Sequence, residues 1–269
     1  MSATVSEQSG PRVRARDVTI GYADRAVVSG LDVAIPTGEL TVIIGPNACG
    51  KSTPLRGLAR MLPTRAGVVE LDGAPIGSYP AKEIARRLGM LPQSPIAPDG
   101  IVVEDLVARG RYPHQGLLRQ WTPQDDDAVA GALERAGVAD LATRPVDELS
   151  GGQRQRVWIA MALAQQTPIL FLDEPTTYLD IAHQVEVLDL ARSLQRDGFT
   201  VVVVLHELNL AFRYATHLVV MKAGAIVAEG AVADVVTPEL IEEVYGLPCR
   251  LVTDPETGTP LVVPKASTR

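Results

Sequence analysis

Apolar and polar positions alternate over the first part of the chain, group at helical spacing in the middle, and then return to short apolar runs. Over residues 12–46 the pattern is that of strands: Val18 and Ile20 alternate with polar neighbours, and Asp32–Ile35 leads into a Pro36-Thr37-Gly38-Glu39 turn. Leu40 to Ile44 is almost wholly apolar, which predicts a strand covered on both faces. Val68–Leu71 and Ala74–Ile76 flank Asp72-Gly73, a pair suited to a tight type I′ hairpin turn. From about 94 to 164 the pattern becomes helical. Thr122-Pro123-Gln124-Asp125 reads as a helix start, with a Thr cap, Pro at the first helical position and acids at the positive end of the dipole. Val129, Leu133 and Ala136 form that helix's buried stripe. Ile169–Leu172 and Thr200–Leu205 again read as buried strands, separated by a helix over Ile181–Leu194. That order predicts a mostly parallel sheet interrupted by a helical insertion. The tail from about 231 predicts a helix capped at Thr237-Pro238-Glu239 and a terminal hairpin around Asp254–Gly258.

Composition narrows the classes of function. The chain of 269 residues carries a net charge of −7, which argues against non-specific binding to nucleic acid, where a basic face must displace counterions. Arg12, Arg14 and Arg16, interleaved with Val13 and Ala15, read as the solvent face of an edge strand. Cys49 and Cys249 are far apart and show no framework spacing, which fits a reducing compartment. The opening MSATVSEQSG has no apolar segment of leader type, and no apolar run approaches the ~18 residues that span a bilayer.

Three stretches carry chemistry. Gly45-Pro46-Asn47-Ala48-Cys49-Gly50-Lys51-Ser52, followed by Thr53, fits G-x-x-x-x-G-K-[ST] between a predicted strand and a predicted helix. In that context backbone N–H groups surround phosphates, Lys51 supplies a point charge at the β/γ end, and the Ser52 hydroxyl is a Mg²⁺ ligand. Asp173 and Glu174 end a buried strand, placing one acid to hold Mg²⁺ and the next to polarise an attacking water. Leu149-Ser150-Gly151-Gly152-Gln153 opens a long helix and offers N–H groups and a hydroxyl as a second anion site.

Together these residues resemble the ATP-binding-cassette family, whose signature sequence is LSGGQ, over about residues 12–230. The resemblance implies an α/β fold: a P-loop NTPase (RecA-like) mixed sheet flanked by helices, with an inserted helical subdomain and an N-terminal antiparallel β region. The implied division is a nucleotide-binding core of 12–93 and 165–230, an inserted subdomain of 94–164 carrying the signature, and a C-terminal extension of 231–269. Tyr22 falls where the family stacks an aromatic on adenine, and Gln93 matches the Q-loop, implying catalytic and metal-binding roles. Thr177-Tyr178-Leu179-Asp180 resembles the D-loop, and His206 matches the switch histidine. The family implies ATP and Mg²⁺, and a head-to-tail homodimer in which Ser150, Gly151, Gly152, Gln153 and Asp180 of one chain face nucleotide held by the other.

Ala108-Arg109-Gly110-Arg111-Tyr112-Pro113-His114-Gln115, after the Q-loop, is similar to importers of iron chelates, haem and vitamin B12, most of all to ferric-siderophore importers of the enterobactin type. Leu240–Gly246 and Gly258–Pro264 look like the same subgroup. The resemblance implies multi-span permease subunits as partners, a substrate-binding lipoprotein acting indirectly, and a peripheral position on the cytoplasmic face of the inner membrane. ATPases of haem or vitamin B12 importers, and soluble ABC ATPases outside transport, stay open as alternatives. His114, His183, His206 and His217 show no ligand spacing, so direct binding of iron is not expected. The chain departs from the family at three positions. Ala48 replaces Gly, at a cost of ~1–2 kcal/mol if φ is positive there. Pro54 replaces Leu and removes a backbone bond in the first turn if Gly50 caps the helix. Glu207 replaces Asp after His206.

Overall fold

The structure is a computed structural model, and it describes residues 11–23, 25–116 and 121–266. The stretch on which the no-leader expectation rests, residues 1–10, lies outside the described residues. The chain opens with β1 (Val13–Tyr22), β2 (Arg25–Ile35) and β3 (Leu40–Ile44), then α1 (Ser52–Leu58), β4 (Thr64–Leu71), β5 (Ala74–Pro75), α2 (Ala81–Ala85) and β6 (Leu88–Leu91). Helices α3 (Val103–Ala108), α4 (Pro123–Arg135) and α5 (Gly151–Ala164) follow before β7 (Ile169–Leu172). Next come α6 (Ile181–Arg196), β8 (Thr200–Val204), α7 (Leu208–Tyr214), β9 (His217–Lys222) and β10 (Ala225–Gly230). The chain ends with α8 (Val232–Val235), α9 (Pro238–Tyr245), β11 (Cys249–Thr253) and β12 (Pro260–Pro264).

Among the described residues the central sheet has the order β10-β9-β3-β8-β7-β6. Its strands run parallel except β10, which pairs antiparallel with β9. The apolar runs behave as their patterns require: every residue of β3, β7 and β8 is buried. Period two then sorts their side chains into two cores. Leu40, Val42, Ile44, Leu170, Leu172, Val201 and Val203 face the cluster shared with α3 to α7. Ile43, Ile169, Phe171, Val202 and Val204 face the cluster shared with α1 and the N-terminal strands.

That second layer is an antiparallel sheet of order β2-β1-β4-β5. Here the edge-strand expectation fails, because β1 is interior, paired with β2 on one side and β4 on the other. The alternation of Val13 and Ala15 with Arg14 and Arg16 reports which face is solvated, and an interior strand with one wet face shows the same alternation as an edge. Arg12 is tied to Asp72 at 2.7 Å and Arg16 to Glu70 at 3.3 Å. Asp72 and Gly73 both have positive φ (49° and 80°), as a two-residue turn between β4 and β5 demands.

The stretch Arg109–His114 winds as a 3₁₀ helix, and Arg111 is folded inward. Its side chain is 4% exposed and pairs with Asp125, itself 1% exposed, at 2.9 Å. Arg111 Nη1 also donates to Ala164 O (2.7 Å) and Gln166 Oε1 (2.8 Å). Asp125 in turn closes the capping box with Thr122 at the start of α4. One buried guanidinium thus ties the 3₁₀ turn to the start of α4 and the end of α5.

Candidate functional site at the C-terminal edge of the central sheet

Parallel strands deliver their following loops to one edge, where open α/β sheets bind ligands. β3 delivers residues 45–51, β6 delivers Gln93, β7 delivers Asp173 and Glu174, and β8 delivers His206. In the loop after β3, Lys51 is 4% exposed and its Nζ donates to Gly45 O (2.9 Å) and Pro46 O (3.0 Å). Burial lowers the Lys51 pKa, while Cys49, Glu174 and Asp173 pull it back up. Ala48 has φ 61° and lies exposed, so its methyl group is held in the left-handed region with no packing to offset the strain. Pro54 leaves no carbonyl orphaned in the first turn. The helix cap is Lys51, so Pro54 is the third helical residue, where an N–H has no intrahelical partner, and Gly50 O instead accepts from Thr53 N (3.0 Å).

Asp173 is 1% exposed. Its Oδ2 accepts from Arg56 Nη2 (3.1 Å) and Nε (3.3 Å), whereas Oδ1 is buried with no hydrogen-bond partner. An orphaned carboxylate oxygen is costly unless something else fills its valence, and a hard cation takes such an oxygen. With Ser52 opening α1, the donor set fits Mg²⁺. Arg56 also donates from Nη1 to the Tyr22 hydroxyl (3.3 Å), linking Tyr22 to the acid. Arg56 was not singled out from the sequence. The signal for it was spacing, since it lies four residues after Ser52 on the same face of α1.

Glu174 collects the remaining groups. Its Oε1 lies 2.6 Å from His206 Nε2, and its Oε2 accepts from Gln93 Nε2 and from Thr177 Oγ1 (3.3 Å). The backbone there has φ 53°, an uncommon conformation for a non-glycine residue and of the kind that clusters at functional sites. Gln93 and His206, 81 and 32 positions from Glu174 in sequence, therefore meet on its carboxylate, beside Asp173.

Ser150, Gly151, Gly152, Gln153 and Asp180 are placed apart from that cluster and do something local. Ser150 Oγ accepts from Gln153 N (3.3 Å), and Gln153 Oε1 accepts from Ser150 N (3.1 Å), which caps α5. Asp180 Oδ1 accepts from His183 N (3.0 Å) and lies 2.7 Å from His183 Nδ1, capping α6. His183's backbone N–H, then its ring, lowers the Asp180 pKa. The two helix starts lie against each other: a Cβ on Gly152 would collide with the His183 ring, so only glycine admits this approach. His114 Nε2 lies 2.8 Å from Gln165 O and His217 Nε2 lies 3.4 Å from Glu229, so each histidine has a separate neighbourhood.

Of the Arg109–Gln115 stretch, Tyr112 stays 66% exposed, with Lys82 Nζ 4.9 Å from its ring. Lys82 also donates to Gln115 O (2.9 Å), and Arg86 Nε donates to Pro113 O (2.9 Å). Asp105, Arg109, Tyr112 and Trp121 line an open groove beside α3.

A family model described as ABC transporter matches residues 28–177. The chain is 52% identical to the ferric enterobactin transport ATP-binding protein FepC of Escherichia coli over 262 residues, 97% of each chain. It is 46% identical to the iron(3+)-hydroxamate import ATP-binding protein FhuC of Bacillus subtilis, covering 90% of each. A hemin import ATP-binding protein, HmuV of Streptomyces coelicolor, is 44% identical over 90% of this chain and 86% of its own length. Among solved structures, a metal-chelate type ABC transporter in an inward-facing conformation superposes with a TM-score of 0.82 at 26% identity, covering 96% of this chain and 98% of the other. The chain belongs to the ABC transporter family, as an ATP-hydrolysing cassette of the mixed-sheet P-loop fold. Among the described residues no helix is long and apolar enough to cross a membrane.

Proposed function

We propose that this chain hydrolyses ATP to energise the uptake of ferric siderophores through a membrane permease, working as a head-to-tail homodimer. The observation that carries the catalytic part is the convergence of Gln93 and His206 on Glu174, next to the buried Asp173 and the Lys51 loop. Gly45–Thr53 cradles the phosphates, and Lys51 exchanges its two loop carbonyls for phosphate oxygens. Tyr22, 44% exposed at the end of β1, supplies a face for adenine. Ser52, Gln93 and Asp173 would hold Mg²⁺, which would supply charge neutralisation for phosphoryl transfer. Glu174 orients and polarises the attacking water, and His206 and Gln93 hold that carboxylate until nucleotide takes their place. Ser150–Gln153 and Asp180, on adjoining helix starts, face the nucleotide of the second copy. One structural relative is a dimeric bacterial ABC transporter cassette, with a TM-score of 0.71 at 26% identity, covering 81% of this chain and 98% of the other.

The siderophore assignment rests on the kinship with FepC and FhuC, above that with the hemin importer. The groove at Asp105, Arg109, Tyr112 and Trp121 suits an inserted permease helix, because it is open and lined by both aromatic and charged side chains. The protein then sits on the cytoplasmic face of the inner membrane, and a substrate-binding lipoprotein delivers cargo to the permease. Reconstitution with the permease in vesicles tests the cargo. ATP-dependent uptake of labelled ferric enterobactin, exceeding that of hemin, is expected; equal or preferential uptake of hemin would reassign it.

A further inference from the structure

Residues after β10 take no part in the chemistry described above, yet they touch two of its working parts. At one end they hold the end of β9 and its turn, which pack on the phosphate loop. Gly224, in the turn after β9, donates its N–H to Cys49 O (3.0 Å), and the neighbouring Met221 carbonyl occupies the place a Cβ on Gly45 would need. Lys222, between them, donates from Nζ to Glu243 O of α9 (2.8 Å). Tyr245 closes the same helix, and its phenolic oxygen is buried without a hydrogen-bond partner. Burial foremost, then the nearby Cys49, raises its pKa, while the Gly45 backbone acts in the opposite direction. At the other end they reach α7, which begins two residues after His206. Val262 N of β12 donates to Asn209 Oδ1 (2.8 Å), and Arg213 lies 3.6 Å from Asp254.

We propose that residues 231–264 are a brace holding the phosphate loop and the helix after His206 in one frame, with Tyr245 a positioning residue for Gly45 and Asn209 the anchor at the far end. A loop that tightens about phosphates brings the Gly45 N–H within reach of the Tyr245 oxygen, which is already dehydrated and unpartnered. Nucleotide binding then completes a bond that the empty loop lacks. The far anchor fixes the start of α7, and through it His206 relative to Glu174. This inference rests on the loop at 45–52 being the phosphate site.

The test uses the full-length protein, with Mg²⁺ATP binding by calorimetry, steady-state hydrolysis and thermal unfolding. Tyr245→Phe keeps the ring and is expected to weaken ATP binding about 3-fold; Tyr245→Ala is expected to weaken it about 10-fold, each with kcat within about 2-fold. Asn209→Ala is expected to lower kcat several-fold at unchanged KM, and Asn209→Asp, which keeps the acceptor, to restore it. A purely structural role would lower the melting temperature alone. Wild-type ATP affinity in Tyr245→Phe, or wild-type kcat in Asn209→Ala, would overturn the brace even where Tyr245→Ala does not fold. Lys51→Ala separates the two levels. Lost binding there, with no effect at Tyr245, rejects the brace alone, whereas normal binding in Lys51→Ala rejects the phosphate site and the brace with it.

Discussion

Arg111 lies in a stretch that reads as a docking segment, and replacing it with alanine is expected to act on stability first. The change removes three donors at once, to Asp125, Ala164 O and Gln166 Oε1. It also leaves the Asp125 carboxylate, 1% exposed, without its counter-charge. Breaking one side of such a buried pair costs about 3–5 kcal/mol. At about 2–4 °C per kcal/mol for a chain of this size class, the melting temperature is expected to fall by on the order of 10 °C. Thermal unfolding followed by circular dichroism reads this directly. Arg111→Met combined with Asp125→Leu removes both charges and is expected to recover much of the loss, because the unpaired charge carries most of the penalty. Titration gives an independent handle. Hydrogen bonding from Thr122, and the bond and charge of Arg111, outweigh the burial that opposes them and depress the Asp125 pKa to about 2. Its contribution is therefore present above the ordinary carboxylate range and is lost as pH falls through about 2. A melting temperature within about 2 °C of wild type in Arg111→Ala would refute this reasoning and return Arg111 to the surface.

Ala48→Gly relieves a residue held at φ 61° and is expected to stabilise the fold by about 0.5–1 kcal/mol, after the greater chain entropy of unfolded glycine is subtracted. A melting temperature raised by about 1–3 °C without loss of ATP affinity checks it, and a lowered one contradicts it. Tyr112→Ala, at an exposed position touched by Lys82, is expected to leave the isolated chain's stability within about 1 kcal/mol while cutting permease-dependent uptake several-fold. Normal uptake in that variant would remove the groove from the docking account.

The parts of the fold that were legible in sequence are those where a local pattern decides the outcome. β3, β7 and β8 announce themselves as apolar runs because strands buried on both faces have no polar period. The start of α4 at Thr122-Pro123 and of α9 at Thr237-Pro238 is fixed by capping chemistry within four residues. What stayed hidden depends on partners distant in the chain. Nothing local marks Arg111 as buried, because its partners lie 14, 53 and 55 residues away. β1 reads as an edge because its second neighbour, β4, arrives only after the loop at 45–51 and α1. The site residues were picked out by motif. Their meeting on Glu174, and the part played by Arg56 between Tyr22 and Asp173, needed the sheet to bring strand ends together. The 3₁₀ winding of Arg109–His114, with Pro113 inside it, has no periodicity of its own to betray it.

The central claim is that Glu174 is the carboxylate that drives hydrolysis within a dimer of this chain. Glu174→Gln keeps the size of the side chain and its contacts to Gln93 and His206 but removes the charge that polarises water. Light scattering coupled to size exclusion, run with and without Mg²⁺ATP beside a phosphate-release assay, tests the claim most directly. The account predicts a variant that binds ATP, doubles its mass only when ATP is present, and hydrolyses at least about 100-fold more slowly than wild type. A Glu174→Gln protein that turns over ATP at the wild-type rate, or stays monomeric with ATP bound, would contradict it.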